Sequence, residues 1–416
     1  FKVTNLAEAF IDDGAEINLD RNFASADQKI FLKAFNEMNS VDAVGIISVW
    51  LLGNNGKAAI GGSFNFVDTE GTAYAYIDDG TNIYAQGDIS LKARNQDRLI
   101  MLTEAGGNGA QVGVMGALSN PEITDETSAW IEDKAAIETE GNISLLSEAD
   151  TRILNVSRGV VKAQNVRIGE STSINHINNE VASFIGDNLS DITVGSGIFD
   201  IGGEVDVLAK SLSKIGSYSL AGSITTGTPT DSPEESPQGK YGIALSGDVS
   251  INNIVGSSKA YLADGISVEF DSGLIIKATN DSVIKAISGS AAISTAAQGS
   301  MGIGGSVGIN NVQSDTEAYV DNATAITDDG EAEITAESDN LIEAISAGGS
   351  GAKYGSVAGS VSINDIEDTT SSYVANNGMV RVKNGISISS DDDSTIKSLA
   401  GMVTGAGKGA VGTAFA

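Results

Sequence analysis

The chain has 416 residues, 50 of them Gly and only 4 Pro, and its 41% hydrophobic share comes mainly from Ala, Ile, Val and Leu with few aromatics. The formal net charge is −31 with the acids scattered along the chain, which makes nucleic acid and anionic membrane surfaces poor partners and leaves divalent cations and basic partners open. The absence of Cys excludes disulfides, and a single histidine, His176, excludes multi-His metal sites and leaves almost no material for a nucleophile-and-base triad.

From the N-terminus, the first patterned element is a small-aromatic-aliphatic triplet centred on Phe10, followed by Asp12-Asp13-Gly14. Residues 25–39 then read as a short amphipathic helix. Ser25-Ala26-Asp27-Gln28 resembles a capping box, and Ile30, Phe31, Ala34, Phe35 and Met38 fall on one helical face. The longest apolar run, Ala43 to Leu52, is about half of what a membrane-spanning helix needs, so no membrane insertion by this segment is expected. Gly106-Gly107-Asn108-Gly109-Ala110-Gln111 begins like a calcium-binding nonapeptide but carries Gln where that repeat requires Asp. Residues 222–240 hold Pro229, Pro233 and Pro237 among Ser, Thr and Glu, and read as an exposed loop. Gly407-Lys408 lacks the hydroxyl residue that a P-loop places next.

The chain repeats itself. Gly305-Ser306-Val307-Gly308-Ile309-Asn310 returns as Gly359-Ser360-Val361-Ser362-Ile363-Asn364, a shift of 54. The aromatic triplet recurs at Phe10, Tyr76, Trp130, Phe184, Tyr261, Tyr319 and Tyr373, with spacings of 66, 54, 54, 77, 58 and 54. Larger spacings point to insertions, which the helix at 25–39 and the loop at 222–240 supply. Short β-type runs separated by Gly, Asn, Asp and Ser suggest about six strands per repeat, hence two triangular coils of roughly 27 residues each. The fold expected is an all-β parallel β-helix, one continuous solenoid over 1–416, with some ~15 coils around an aliphatic core and a length of ~70 Å. The last eight residues repeat Gly355 to Ser362, so the chain is expected to be a segment cut within repeats of a longer protein.

The unit carried by Gly305 to Asn310, Ala318 to Asp321 and Ile334 to Ser346 resembles repeats of large secreted adhesins of the filamentous-haemagglutinin and leukotoxin-like autotransporter type. The resemblance implies export across a Gram-negative outer membrane and display of a β-helical passenger that contacts a surface protein or glycan on host cells or other bacteria. It carries over no ligand-binding residue. The export signal and translocator of that family lie outside this sequence.

Candidate chemistry is sparse. Asp12-Asp13-Gly14, Asp78-Asp79-Gly80 and Asp328-Asp329-Gly330 recur with the repeat, which is the behaviour of turns rather than of an active site. The same turns and Asp391-Asp392-Asp393 are the candidates for Ca²⁺, the one cofactor left open; no catalytic, cofactor or metal residue is assigned. In Glu317-Ala318-Tyr319-Val320-Asp321 a period of two puts Ala318 and Val320 on one face and Tyr319 on the other, so the aromatic series is expected to point outward. Such a stripe could stack on sugars or anchor a protein; alternatively, neighbouring loops cover it or the rings turn into the core. The reading is a non-enzymatic adhesin passenger, with a β-helical polysaccharide hydrolase or lyase, or part of a leukotoxin-like cytotoxin, as alternatives.

Overall fold

The computed structural model describes residues 1–23, 25, 27–48, 58–108, 111–186, 197–226, 241–296 and 299–416, with 46–48 described for the backbone only. Among them every regular element is a β-strand apart from one turn of 3₁₀ helix at Arg21–Phe23, and no helix is long enough to cross a membrane. The strands form three parallel sheets, of eight, seven and seven strands. The chain is a parallel β-solenoid, and each pass round it adds one strand to each sheet.

One coil shows the pattern. Ala58–Ile77 lies in the first long sheet, the four-residue strand Asn82–Ala85 in a short sheet, and Ile89–Asn108 in the second long sheet, before Val112–Ile131 re-enters the first. The cross-section is therefore a wedge. The short sheet holds the two long sheets apart at one end, and the connection from Ala163 to Val166 shows how abruptly they meet at the other.

This corrects the coil count. Ala58 pairs with Val112 and Ile89 with Ile143, both at a shift of 54, so each repeat is one coil of very long strands and not two small ones. With seven steps between the eight strands of the first sheet, the stack rises only ~34 Å, while each 20-residue strand runs ~66 Å. The Asn, Ser, Asp and Gly that break the hydrophobic pattern lie inside these strands, at buried positions, instead of marking turns.

The helix over 25–39 is also corrected. Ile30–Ser48 is a strand, hydrogen-bonded along Ile89–Asn108, with Leu32, Ala34, Asn36 and Met38 buried and Phe31 and Phe35 exposed. Its sequence satisfies a period of two as well as one of 3.6, and pairing with the next coil decides between them.

Insertions sit at the corners. The first sheet pairs Val166 with Ile243 at a shift of 77, but the second long sheet pairs Ile143 with Val205 at 62, so 8 of the extra residues precede Val205 and 15 follow Thr225. Of the loop expected at 222–240, residues 222–225 end the strand Val205–Thr225, and 227–240 lie outside the described residues.

The interior is layered along the strands. At the wide end Ile, Leu, Val and Ala from all three sheets form the main core, for instance Ile77, Ile83, Ile89, Ile131, Ile137 and Ile143. Farther along, the two long sheets meet through a single line of large side chains that includes Leu99, Ile123, Ile153, Ile177, Ile254 and Ile342. Beyond this line the interior is mainly polar, with Met115, Ala117 and Val161 among its apolar exceptions, and the expectation of a continuous aliphatic core fails there. Asn175 donates to Asn252 at 2.6 Å, Asn252 to Asn310 at 2.7 Å, and Asn310 to Asn364 at 2.7 Å, one amide per coil. Serines fill the same layer, as where Ser171 and Ser219 lie 2.9 Å apart. The sheets come so close here that a Cβ on Gly159 would lie 1.8 Å from the carbonyl oxygen of Glu170, which only glycine allows.

Candidate interaction surface

The aromatic series occupies one register line of the first long sheet: Phe10, Tyr76, Trp130, Phe184, Tyr261, Tyr319 and Tyr373 are successive partners. Strand alternation sends Ala129 and Ile131 into the core and Trp130 away from it, as the period of two predicts. The rings then stack on one another. Successive centroids lie 5.1, 4.3, 5.9, 4.8, 4.8 and 5.0 Å apart with planes within 9°. Each coil supplies a ring at the strand spacing, which is also a favourable stacking distance.

Stacking closes most of this line to partners. Phe184, Tyr261 and Tyr319 are 4%, 3% and 2% exposed, whereas Phe10 at the first coil is 49% exposed. Trp130 is half-buried and donates its indole N–H to Glu132 at 2.7 Å. Burial raises the Tyr76, Tyr319 and Tyr373 phenols above their ordinary range, so all three are neutral at physiological pH. The line is a spine closed at its middle and most open at Phe10, with Tyr76, Trp130 and Tyr373 partly exposed, and not a row of seven accessible rings.

Asp12-Asp13-Gly14 and Asp78-Asp79-Gly80 lie at the wide-end corner just beyond this spine, whereas Asp328-Asp329-Gly330 lies at the other wide-end corner, between the short-sheet strand Thr324–Ile326 and Glu331–Ala352 of the second long sheet. Gly14, Gly80 and Gly330 have φ of 67°, 65° and 117°, the left-handed region that glycine accommodates. One turn gathers charge: carboxylate oxygens of Asp79, Glu132 and Asp133 lie within 4.8 Å of one another. The ammonium of Lys134 is 3.0 Å from Asp79 and 3.6 Å from Asp133, so a cation is already built in. Asp79 and Asp133 are one repeat of 54 apart, the signal by which the sequence could have paired them.

Asp391-Asp392-Asp393 does not converge. Alternation puts Asp391 and Asp393 on the outer face of the second long sheet and sends Asp392 the other way, beside Asp368. The outward pair lines a shallow groove of about 620 Å³ with Asp281, Glu337, Asp339, Lys210 and Lys277. Lys277 bonds Glu337 at 2.7 Å, and burial, with the neighbouring Asp339 charge, raises Asp281. The groove holds five carboxylates against two ammonium groups, the chemistry of a surface for basic groups or cations.

His176 lies in mid-strand on the outer face of the first sheet, its Nδ1 2.9 Å from the Asn253 amide nitrogen. The calcium-like stretch 106–111 ends the strand Ile89–Asn108, with Gly109 and Ala110 outside the described residues.

Two carboxylate pairs bridge the facing long sheets without a signature in the sequence: Asp97 with Asp125, and, in the last coils, Asp368 with Asp392. Asp97 and Asp125 come from facing sheets and are 2% and 1% exposed. Burial pushes both upward, Asp125 strongly and further through the charge of Asp97, so the hydrogen-bonded pair holds a proton between them. Thr151 donates to Asp125 at 2.5 Å. Sealed between sheets, this pair meets no substrate.

No protein-family model, no curated protein and no solved structure matches the chain.

Proposed function

We propose that this chain is a fragment of a secreted adhesin passenger, displayed extracellularly at the outer membrane of a Gram-negative bacterium, that attaches to a protein or glycan on host cells or other bacteria and carries no catalytic activity. The observation that carries the reading is the arrangement of polar chemistry on the wide half of the solenoid. Its outer faces present charged and amide side chains in register lines, coil after coil, while the fully buried carboxylate pair, Asp97 with Asp125, is enclosed in the core. Such a frame offers repeated contacts to an extended partner, whereas glycoside cleavage relies on two carboxylates flanking one bond. The acidic groove around Asp281, Asp339 and Asp391 is the part of this surface assigned to a basic partner.

Labelled protein incubated with a panel of host cells, bacteria and immobilised glycans, with and without a calcium chelator, tests the reading. Saturable binding to one surface is the expected result. Release of reducing ends or loss of viscosity from a polysaccharide would replace it with the hydrolase or lyase alternative, and absence of binding across the panel would reject it.

A further inference from the structure

The narrow half of the first long sheet reverses the usual polarity. Inside, Ser306 and Asn310 are buried; outside, Val307 and Ile309 of the same strand face away from the core. From the line of Ala58 to the line of Phe66, five outward register lines run across the coils, and Glu170 is the one ionisable side chain on them. This face measures roughly 30 Å by 30 Å, or about 900 Å², larger than the apolar patches that monomers ordinarily expose.

A furrow divides it. Gly62, Gly116, Gly247, Gly305 and Gly359 share one outward line, interrupted by Glu170. Leu245, Ile303 and Val357 form the ridge on one side, and Val249, Val307 and Val361 the ridge on the other. Around Gly62 and Gly116 the furrow is a groove of about 430 Å³. The fold leaves room for a side chain at most of these glycines: a Cβ on Gly116, Gly247 or Gly305 would meet no atom within 4 Å and one on Gly359 only Thr413 at 3.6 Å, whereas at Gly62 it would lie 3.3 Å from the Gly116 carbonyl oxygen and 3.4 Å from the Phe64 ring. On the outer face of the other long sheet the case differs, because a Cβ on Gly216 or Gly289 would press against Leu154 or Leu220 at 3.2 and 3.0 Å. Glycine weakens a strand, and where the fold leaves room for a side chain its repetition marks close approach from outside.

We propose that this furrowed face pairs with the same face of a second copy of the chain. A second copy presents ridges of Val, Ile and Leu at the same strand pitch as the furrow, so a twofold arrangement seats each copy's ridge in the other's furrow. The area is what a stable dimer needs, about 800 Å² per partner. Apart from Glu170, the charges that make the chain strongly acidic lie off the five lines of this face. A fluid lipid surface would match the apolar character but has no use for a furrow.

Sedimentation equilibrium up to tens of micromolar tests this. The wild type is expected to dimerise, and Gly247→Leu with Gly305→Leu to weaken dimerisation at least tenfold while leaving the unfolding midpoint of the monomer no lower. Val307→Lys, changing a ridge instead of the furrow, is expected to do the same, and Glu170→Gln to tighten pairing. A wild type that stays monomeric, or a furrow-filled variant that dimerises unchanged, overturns the proposal. Flotation of a monomeric wild type with phosphatidylcholine vesicles overturns it in favour of lipid.

Discussion

Tyr261 and Tyr319 stack with ring centroids 4.8 Å apart and planes 2° from parallel, although 58 residues separate them in the chain. Their separation is the distance between neighbouring strands, so the rings touch only if the two coils are in register. A slip of two residues between these coils would break this stack.

Replacing Tyr319 by Ala is therefore expected to cost about 3–5 kcal/mol, the range for deleting a buried aromatic, because it opens a gap between Tyr261 and Tyr373. Tyr319→Phe keeps the stack and should cost under about 1 kcal/mol. Urea unfolding followed by far-UV circular dichroism distinguishes the two; equal losses would show that the stack contributes nothing beyond the phenol.

Asp248 is buried among serines of the polar layer, and burial raises its carboxyl from the ordinary 3.8 to about 7, opposed by hydrogen bonds from Ser219 and the Gly289 amide. A raised folded-state value means stability that is fully present below the unfolded-state value and is lost as pH rises through about 7. The protein should thus be more stable at pH 5 than at pH 8. Asp248→Asn should flatten this slope and raise stability at pH 8, with an effect on the order of 4 kcal/mol at full expression. Asp206, raised to about 6 by burial and the charge of Glu204, adds to the slope in the same direction.

Arg167 is fully buried where the two long sheets meet, and among the described residues none of its guanidinium nitrogens has a hydrogen-bond partner. Burial lowers its value to about 10, still leaving it charged at neutral pH. An unpaired buried cation destabilises a fold, so Arg167→Met, similar in length and apolar, is expected to stabilise by about 1–4 kcal/mol. A lower denaturation midpoint in the variant would contradict this.

At the corner of Asp79, Glu132 and Asp133, the ammonium of Lys134 occupies the place a divalent ion would take. Calcium should leave the unfolding midpoint of the wild type unchanged through this corner. Lys134→Ala should lower the midpoint and make it respond to added Ca²⁺, as read by thermal scans with and without chelator.

Much of the fold was legible. The spacings of the aromatic triplet, 66, 54, 54, 77, 58 and 54, are the pairing shifts of the first long sheet. The number of coils was not. Ser314 and Asp315 look like turn residues, but they lie within the strand Gly299–Asp321, Ser314 on its buried face, and local chemistry cannot distinguish a polar turn from a polar core layer. The same error hid the stacking, since one ring every second coil would leave the rings ~10 Å apart. The outward direction of Tyr319 followed from alternation alone, whereas Asp97 and Asp125 meet only because two sheets face each other, which no periodicity encodes.

The corners of the wedge absorb all the variation in coil length, while the strands between them stay in register through amide and ring lines. A solenoid built this way is an indexed frame. Segments of different length can be grafted at either end of the cross-section, every ~4.8 Å along the stack, without displacing a residue on the faces. Diversity of contact and constancy of scaffold are thereby assigned to separate parts of each repeat, so one can change without disturbing the other.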